Sequence, residues 1–142
     1  MRGVTRLVLI ATLAAGAVLG AGTVIGCGRQ AQLDGTGWVL TAWSVSALSP
    51  ADFQITASFA DGQISGTSAV NQYGGPCIAD ADGHFSAGAL MSTEMAGSEP
   101  AMRAEAAYIK LLQPARSYRL EGGRLTLMDA DGGELLVFAP RG

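Results

Sequence analysis

One histidine, His84, and two cysteines, Cys27 and Cys77, are the whole supply of imidazole and thiol in this chain of 142 residues. A structural zinc site takes four His or Cys ligands, which one His without a thiol pair cannot furnish. The same scarcity leaves at most one Ser-His-Asp arrangement, and no Gly-x-Ser-x-Gly elbow occurs to present a nucleophile. Charge is thin as well, at 15% Asp, Glu, Lys and Arg with a net −3. No basic stripe is present for nucleic acid, and no Lys/Arg cluster for anionic lipid. Two stretches, Asp80-Ala81-Asp82-Gly83 and Asp129-Ala130-Asp131-Gly132, begin as calcium loops do. Both lack the third oxygen ligand and the bidentate Glu such a loop needs, and read instead as hairpin turns. Glu94, Glu99 and Glu105 gather near a helix start, where the dipole favours acid, and read as a capping pattern. The expectation is a protein with no catalytic residues, no metal and no cofactor.

The start of the chain is more informative. Arg2 and Arg6 precede an uncharged run from Leu7 to Gly26 rich in Ala, Gly, Val and Leu. A basic start followed by an apolar run is the anatomy of a secretory signal. Its end, Val24-Ile25-Gly26-Cys27, resembles a lipobox, in which a small residue precedes the Cys whose sulfur takes the diacylglycerol. The alternative is an uncleaved membrane-spanning helix, which the glycines of the run weaken. Either reading places the rest of the chain outside the cytoplasm. The expected organisation is a lipoprotein signal peptide at 1–26, a lipid-anchored tether at 27–32 and one domain at 33–140. Removing Arg2 and Arg6 takes the net charge from −3 to −5. Acyl chains on Cys27 would then do the anchoring, at about 0.8 kcal/mol per buried CH₂.

Within the domain, Asp34-Gly35 marks a turn before a strand carrying Trp38 and Trp43, predicted on opposite faces with one in the core and one at a rim. Ser49-Pro50-Ala51 breaks the chain. Phe53 to Phe59 then alternates four apolar and three polar residues, the mark of a half-buried strand in an antiparallel sheet. Asp61-Gly62 predicts a hairpin, with Gln63 to Ser68 returning, and a second hairpin joins Cys77–Ala79 to Phe85–Ala87 around Asp82-Gly83. Ser98-Glu99-Pro100 starts a helix whose apolar face is Ala101, Ala104, Tyr108, Leu111 and Leu112, and Pro114 ends it. Three strands follow, divided by Gly122-Gly123 and Gly132-Gly133. The pattern is a β-rich α+β domain with one helix inserted among the strands. Its predicted core is Phe53, Ile55, Phe59, Leu125, Leu127 and Phe138, closed on one side by Tyr108 and Leu112.

Several of these pieces together resemble the META domain family, the HslJ-like proteins. They are Leu33-Asp34-Gly35-Thr36-Gly37-Trp38-Val39-Leu40, then Gly66 to Gly75 with Asn71 and Tyr73, then Thr93-Glu94-Met95-Ala96-Gly97 with Met102. Tyr118, Gly122, Leu125, Leu127, Asp129 and Gly132 complete the match. The resemblance implies a small curled antiparallel sheet closed by the helix. It implies no settled chemistry. Two positions at which the family carries Cys are Val70 and Gly97 here. If those cysteines are partners in relatives, the Cα atoms of Val70 and Gly97 should lie within about 7 Å.

The remaining candidates each have two readings. Asn71 and Gln72 would line a binding groove or, as Asn side chains do, tie the turn that Gly74-Gly75 completes. Cys77 would be a small buried apolar residue or a free thiol open to oxidation. Two functions follow. One is a non-enzymatic cell-envelope lipoprotein, stress-related by resemblance, acting through contacts with an envelope protein partner. The other is a pilotin-like or lipid- or peptide-binding carrier, which a large apolar cleft between helix and sheet would mark.

Overall fold

The computed structural model describes residues 32–45 and 47–142. The expected signal peptide, most of the expected tether and Cys27, the expected lipidation site, lie outside the described residues. Among the described residues, no helix is long and apolar enough to cross a membrane.

Nine strands and one helix occur among these residues. The strands are β1 Thr36–Trp43, β2 Thr56–Ala60, β3 Gln63–Thr67, β4 Gln72–Ala79, β5 Phe85–Ala87 and β6 Met91–Ser92, then β7 Ser117–Glu121, β8 Arg124–Met128 and β9 Glu134–Pro140. Helix α1, Glu99–Leu112, stands between β6 and β7. All pairings are antiparallel, in the order β5-β4-β3-β2-β1-β9-β8-β7, with β6 also on β4. The two ends of that order meet through a bridge between His84 and Ser117, and Tyr118 N–H donates to Gly83 O at 2.8 Å. The curled sheet therefore nearly closes on itself, as the META resemblance implies.

Local chemistry explains the elements. Asp61 and Gly62 both have positive φ, 53° and 76°, the conformation a tight two-residue hairpin demands. Ser98 caps α1, its side chain accepting from Ala101 N–H at 3.3 Å, with Pro100 in the first turn. Ala104, Tyr108 and Leu112, at four-residue spacing, are wholly buried. Tyr108 meets the ring of Tyr73 on β4 at 5.4 Å and that of Phe138 on β9 at 6.5 Å between centroids. Three strands separate β4 from β9 in the sheet order. Only a strongly curled sheet brings both against one helical residue.

Ile55, Phe59, Leu125, Leu127 and Phe138 are buried in one cluster with Tyr108 and Leu112, as expected. Phe53 differs, being only partly buried at the margin. A single 3₁₀ turn, Pro50–Asp52, ends at Phe53, whose N–H bonds to Pro50 O, so regular pairing starts only at Thr56. Thr56, expected to face outward to solvent, is buried, and its Oγ1 accepts from Thr67 N–H at 3.0 Å.

The tryptophans divide into core and rim, Trp38 buried and Trp43 partly so with its Nε1 donating to Leu48 O. They do not occupy opposite faces. The β1–β9 register shifts between Leu40 and Ala42, so Leu40 faces Phe138 while Trp43 faces Leu136. Residues directly opposite share a face, and Phe138 and Leu136 are both fully buried. The extra residue of this bulge returns Trp43 to the core side.

Candidate functional site

Ser68, Thr93 and Met95, from the stretches that carry the family resemblance, and Glu105 of α1 converge on one residue, Asn71. The turn before it is formed by Ser68 to Asn71, with Ser68 N–H donating to Asn71 O at 2.8 Å and Ala69 at φ 87°. Gly74 and Gly75 do not complete a turn. They lie inside β4, paired with Ser65 and Ile64. Gly75 is needed for close approach, because a Cβ there would stand 2.4 Å from Ala89 O.

Every polar atom of the Asn71 amide is engaged. Its Oδ1 accepts from Met95 N–H at 2.6 Å and Thr93 Oγ1 at 2.9 Å, and its Nδ2 donates to Met95 O at 3.2 Å and Glu105 Oε2 at 2.9 Å. Asn71 N–H and Ser68 Oγ both donate to Glu105 Oε1, at 3.0 and 2.5 Å. Asn71 is 3% exposed, and an amide whose two donors and two acceptors are all used has none left for a ligand. Glu105 is thus not part of a capping pattern. It sits mid-helix and ties α1 to the β3–β4 turn, a role that no local sequence signal announces.

Gly97 and Val70 complete the latch between the helix start and the turn. A Cβ built on Gly97 would lie 3.5 Å from Val70 Cβ and 2.8 Å from Val70 Cγ2. Disulfide-bonded cysteines hold their Cβ atoms about 3.5–4.5 Å apart. The two positions therefore face each other at bridging distance, and the Val70 methyls fill the space that glycine leaves.

Gln72 is exposed, unlike Asn71, and lines a polar hollow on the outer face with Gln54, Ser65, Thr67 and Arg141. Tyr73, next along β4, buries its hydroxyl, which donates to Thr56 O at 2.8 Å. That oxygen lies 2.6 Å from the Tyr108 hydroxyl, which must then be the donor of the pair. Burial pushes both hydroxyls well above the ordinary tyrosine range. Cys77 is a free, buried thiol in the core cluster, and burial pushes it up to about 11. That keeps the sulfur in its unreactive protonated form.

Asp80, Asp82 and His84 place one ligand atom each within 4.8 Å of one another at the β4–β5 turn. Asp80 is already occupied there. Its Oδ1 accepts from the N–H groups of Asp82 and His84, and its Oδ2 lies 3.0 Å from His84 Nδ1. The His84 backbone bond, foremost, holds the Asp80 carboxyl below its usual range. This is the geometry of a hairpin turn, with His84 exposed. Asp129 repeats it at the β8–β9 turn, accepting from Asp131 and Gly133 N–H.

The space between helix and sheet is packed. A hollow beside Leu33, Phe59 and Cys77 holds about 10 Å³, room for roughly one water. A wider, open hollow of about 600 Å³ lies on the surface between β6 and the start of α1, lined by Leu90, Glu94, Met95, Met102 and the outer edge of the Asn71–Glu105 pair.

The META domain model matches residues 31–142, and the chain belongs to the META domain family. Two solved structures share the fold. An NMR structure of a protein from Burkholderia xenovorans is 25% identical with a TM-score of 0.64, covering 93% of this chain and 99% of that one. A second NMR structure is 20% identical with a TM-score of 0.59, covering 78% of this chain and 92% of that one. No functionally curated protein matches significantly.

Proposed function

We propose that the chain is a non-enzymatic lipoprotein of the cell envelope, anchored through Cys27, whose META domain acts through contacts with an envelope protein. The observation that carries this reading is the filled interior. Tyr108 and Leu112 pack with Phe138 and Tyr73 under the helix, and the hollow between β6 and the start of α1 is an open one lined by polar as well as apolar groups, which disfavours the pilotin-like carrier. Ser68, Asn71 and Glu105 are spent on holding α1 to the turn, leaving no convergent set of acid, base and nucleophile around Asn71. The lipobox supplies the address and the acyl chains supply the anchor.

Cross-linking in intact cells tests the reading, with a photo-reactive residue at Gln72 in the anchored chain and in Cys27→Ser. A discrete protein adduct that depends on Cys27 is the expected result. Adducts to lipid, or a bound acyl chain recovered from the purified domain, would favour the carrier instead.

A further inference from the structure

Among the described residues, Met91, Met95 and Met102 are three of the five large hydrophobic side chains left exposed, at 78%, 58% and 37%. Met128, by contrast, is buried. Methionine ordinarily fills irregular gaps in a core, so a group of exposed ones calls for another account. Met95 and Met102 line the same hollow between β6 and α1, and Glu94 lines it with them. Both leave well-held backbone. The Met95 peptide groups are clasped by the Asn71 amide, and Met102 N–H bonds to Ser98 O at 2.9 Å in the first turn of α1.

A thioether is a neutral, soft ligand that selects Cu(I)-type cations over Mg²⁺, Ca²⁺ or Mn²⁺. The carboxylates of the hollow do not offer a hard site, since Glu105 already accepts three hydrogen bonds and only Glu94 remains. We infer that this hollow binds a soft monovalent cation, Cu(I) or its analogue Ag(I), through the Met95 and Met102 sulfurs, with Glu94 offsetting the charge. The site is independent of the proposed protein contacts and of the anchor.

The test uses the full chain with Cys27→Ser and Cys77→Ala, so that thiols do not compete, and ¹³C at the methionine ε-methyl groups. Silver(I) nitrate is the probe. The Met95 and Met102 methyl signals should move together and saturate at one equivalent, while Met91 and Met128 stay in place. Either Met95→Leu or Met102→Leu keeps the apolar surface but removes a sulfur, and should weaken binding at least about tenfold. Unchanged backbone spectra confirm that these variants fold. Shifts spread equally over Met91, binding that survives the double leucine variant, or no shift at all would overturn the site and leave the patch an apolar contact surface only.

Discussion

At the scale of single residues, the account turns on groups that sequence position alone does not rank. Glu105 accepts from Ser68 Oγ, Asn71 N–H and Asn71 Nδ2, so truncation strands the two Asn71 donors, while the Ser68 hydroxyl can turn to Asn71 O at 3.1 Å. Glu105→Ala should lower stability by about 2–3 kcal/mol in urea unfolding, and Glu105→Gln by less, because the amide oxygen can still accept. The tyrosine pair is asymmetric. Tyr73→Phe removes the partner of both Thr56 O and the Tyr108 hydroxyl, whereas Tyr108→Phe costs Tyr73 only one incoming bond. Tyr73→Phe should therefore be the more destabilising of the two, by about 1 kcal/mol or more. Equal losses would mean the donor order is wrong. Glu105 was hidden in the sequence because its acid neighbours near the helix start offered a sufficient reading as caps. The burial of the Tyr73 hydroxyl was hidden because its partner lies 35 residues away.

Among the elements, signals that are purely local were legible. Asp61-Gly62, Ser98-Glu99-Pro100 and the spacing of Ala104, Tyr108 and Leu112 each led to the observed turn, cap and buried face. Signals that depend on a partner strand were not. The bulge in β1 carries no residue signature, so simple alternation puts the two tryptophans on opposite faces when they share one. Gly74-Gly75 read as a turn because glycine serves both turns and close approaches, and only the position of Ala89 distinguishes them. The family's missing cysteines gave the best long-range information, since Val70 and Gly97 do face each other. Val70→Cys with Gly97→Cys, in a Cys77→Ala background, should oxidise spontaneously and add about 2–4 kcal/mol, read as a raised Tm that reductant reverses. Gly97 is not at positive φ, so a side chain there meets no backbone penalty. A pair that stays reduced in air would contradict the latch geometry.

For the whole molecule, the buried hydroxyls set an alkaline limit. Tyr73 and Tyr108 have folded-state pKa values raised above the ordinary 10.0 by burial. Their contribution is fully present below about pH 10 and is lost as pH rises beyond it, since the unfolded chain ionises first. In a Cys77→Ala background, which removes the buried thiol that would titrate first, the denaturant midpoint should hold steady from neutral pH and fall above about pH 10, and a Tyr73→Phe, Tyr108→Phe double variant should fall less steeply. The fold class was legible from pattern and the family from the motifs it shares, whereas a filled interior and a cleft leave the same alternation and were left open. The proposed anchor and address rest on the first 27 residues, where composition speaks and the described fold does not reach. Intact-mass analysis of the exported chain from the membrane fraction therefore tests the central claim most directly. The account predicts a chain beginning at Cys27 and carrying a diacylglycerol group, with Cys27→Ser accumulating as uncleaved precursor. A wild-type chain that begins at Met1 and carries no lipid would contradict it.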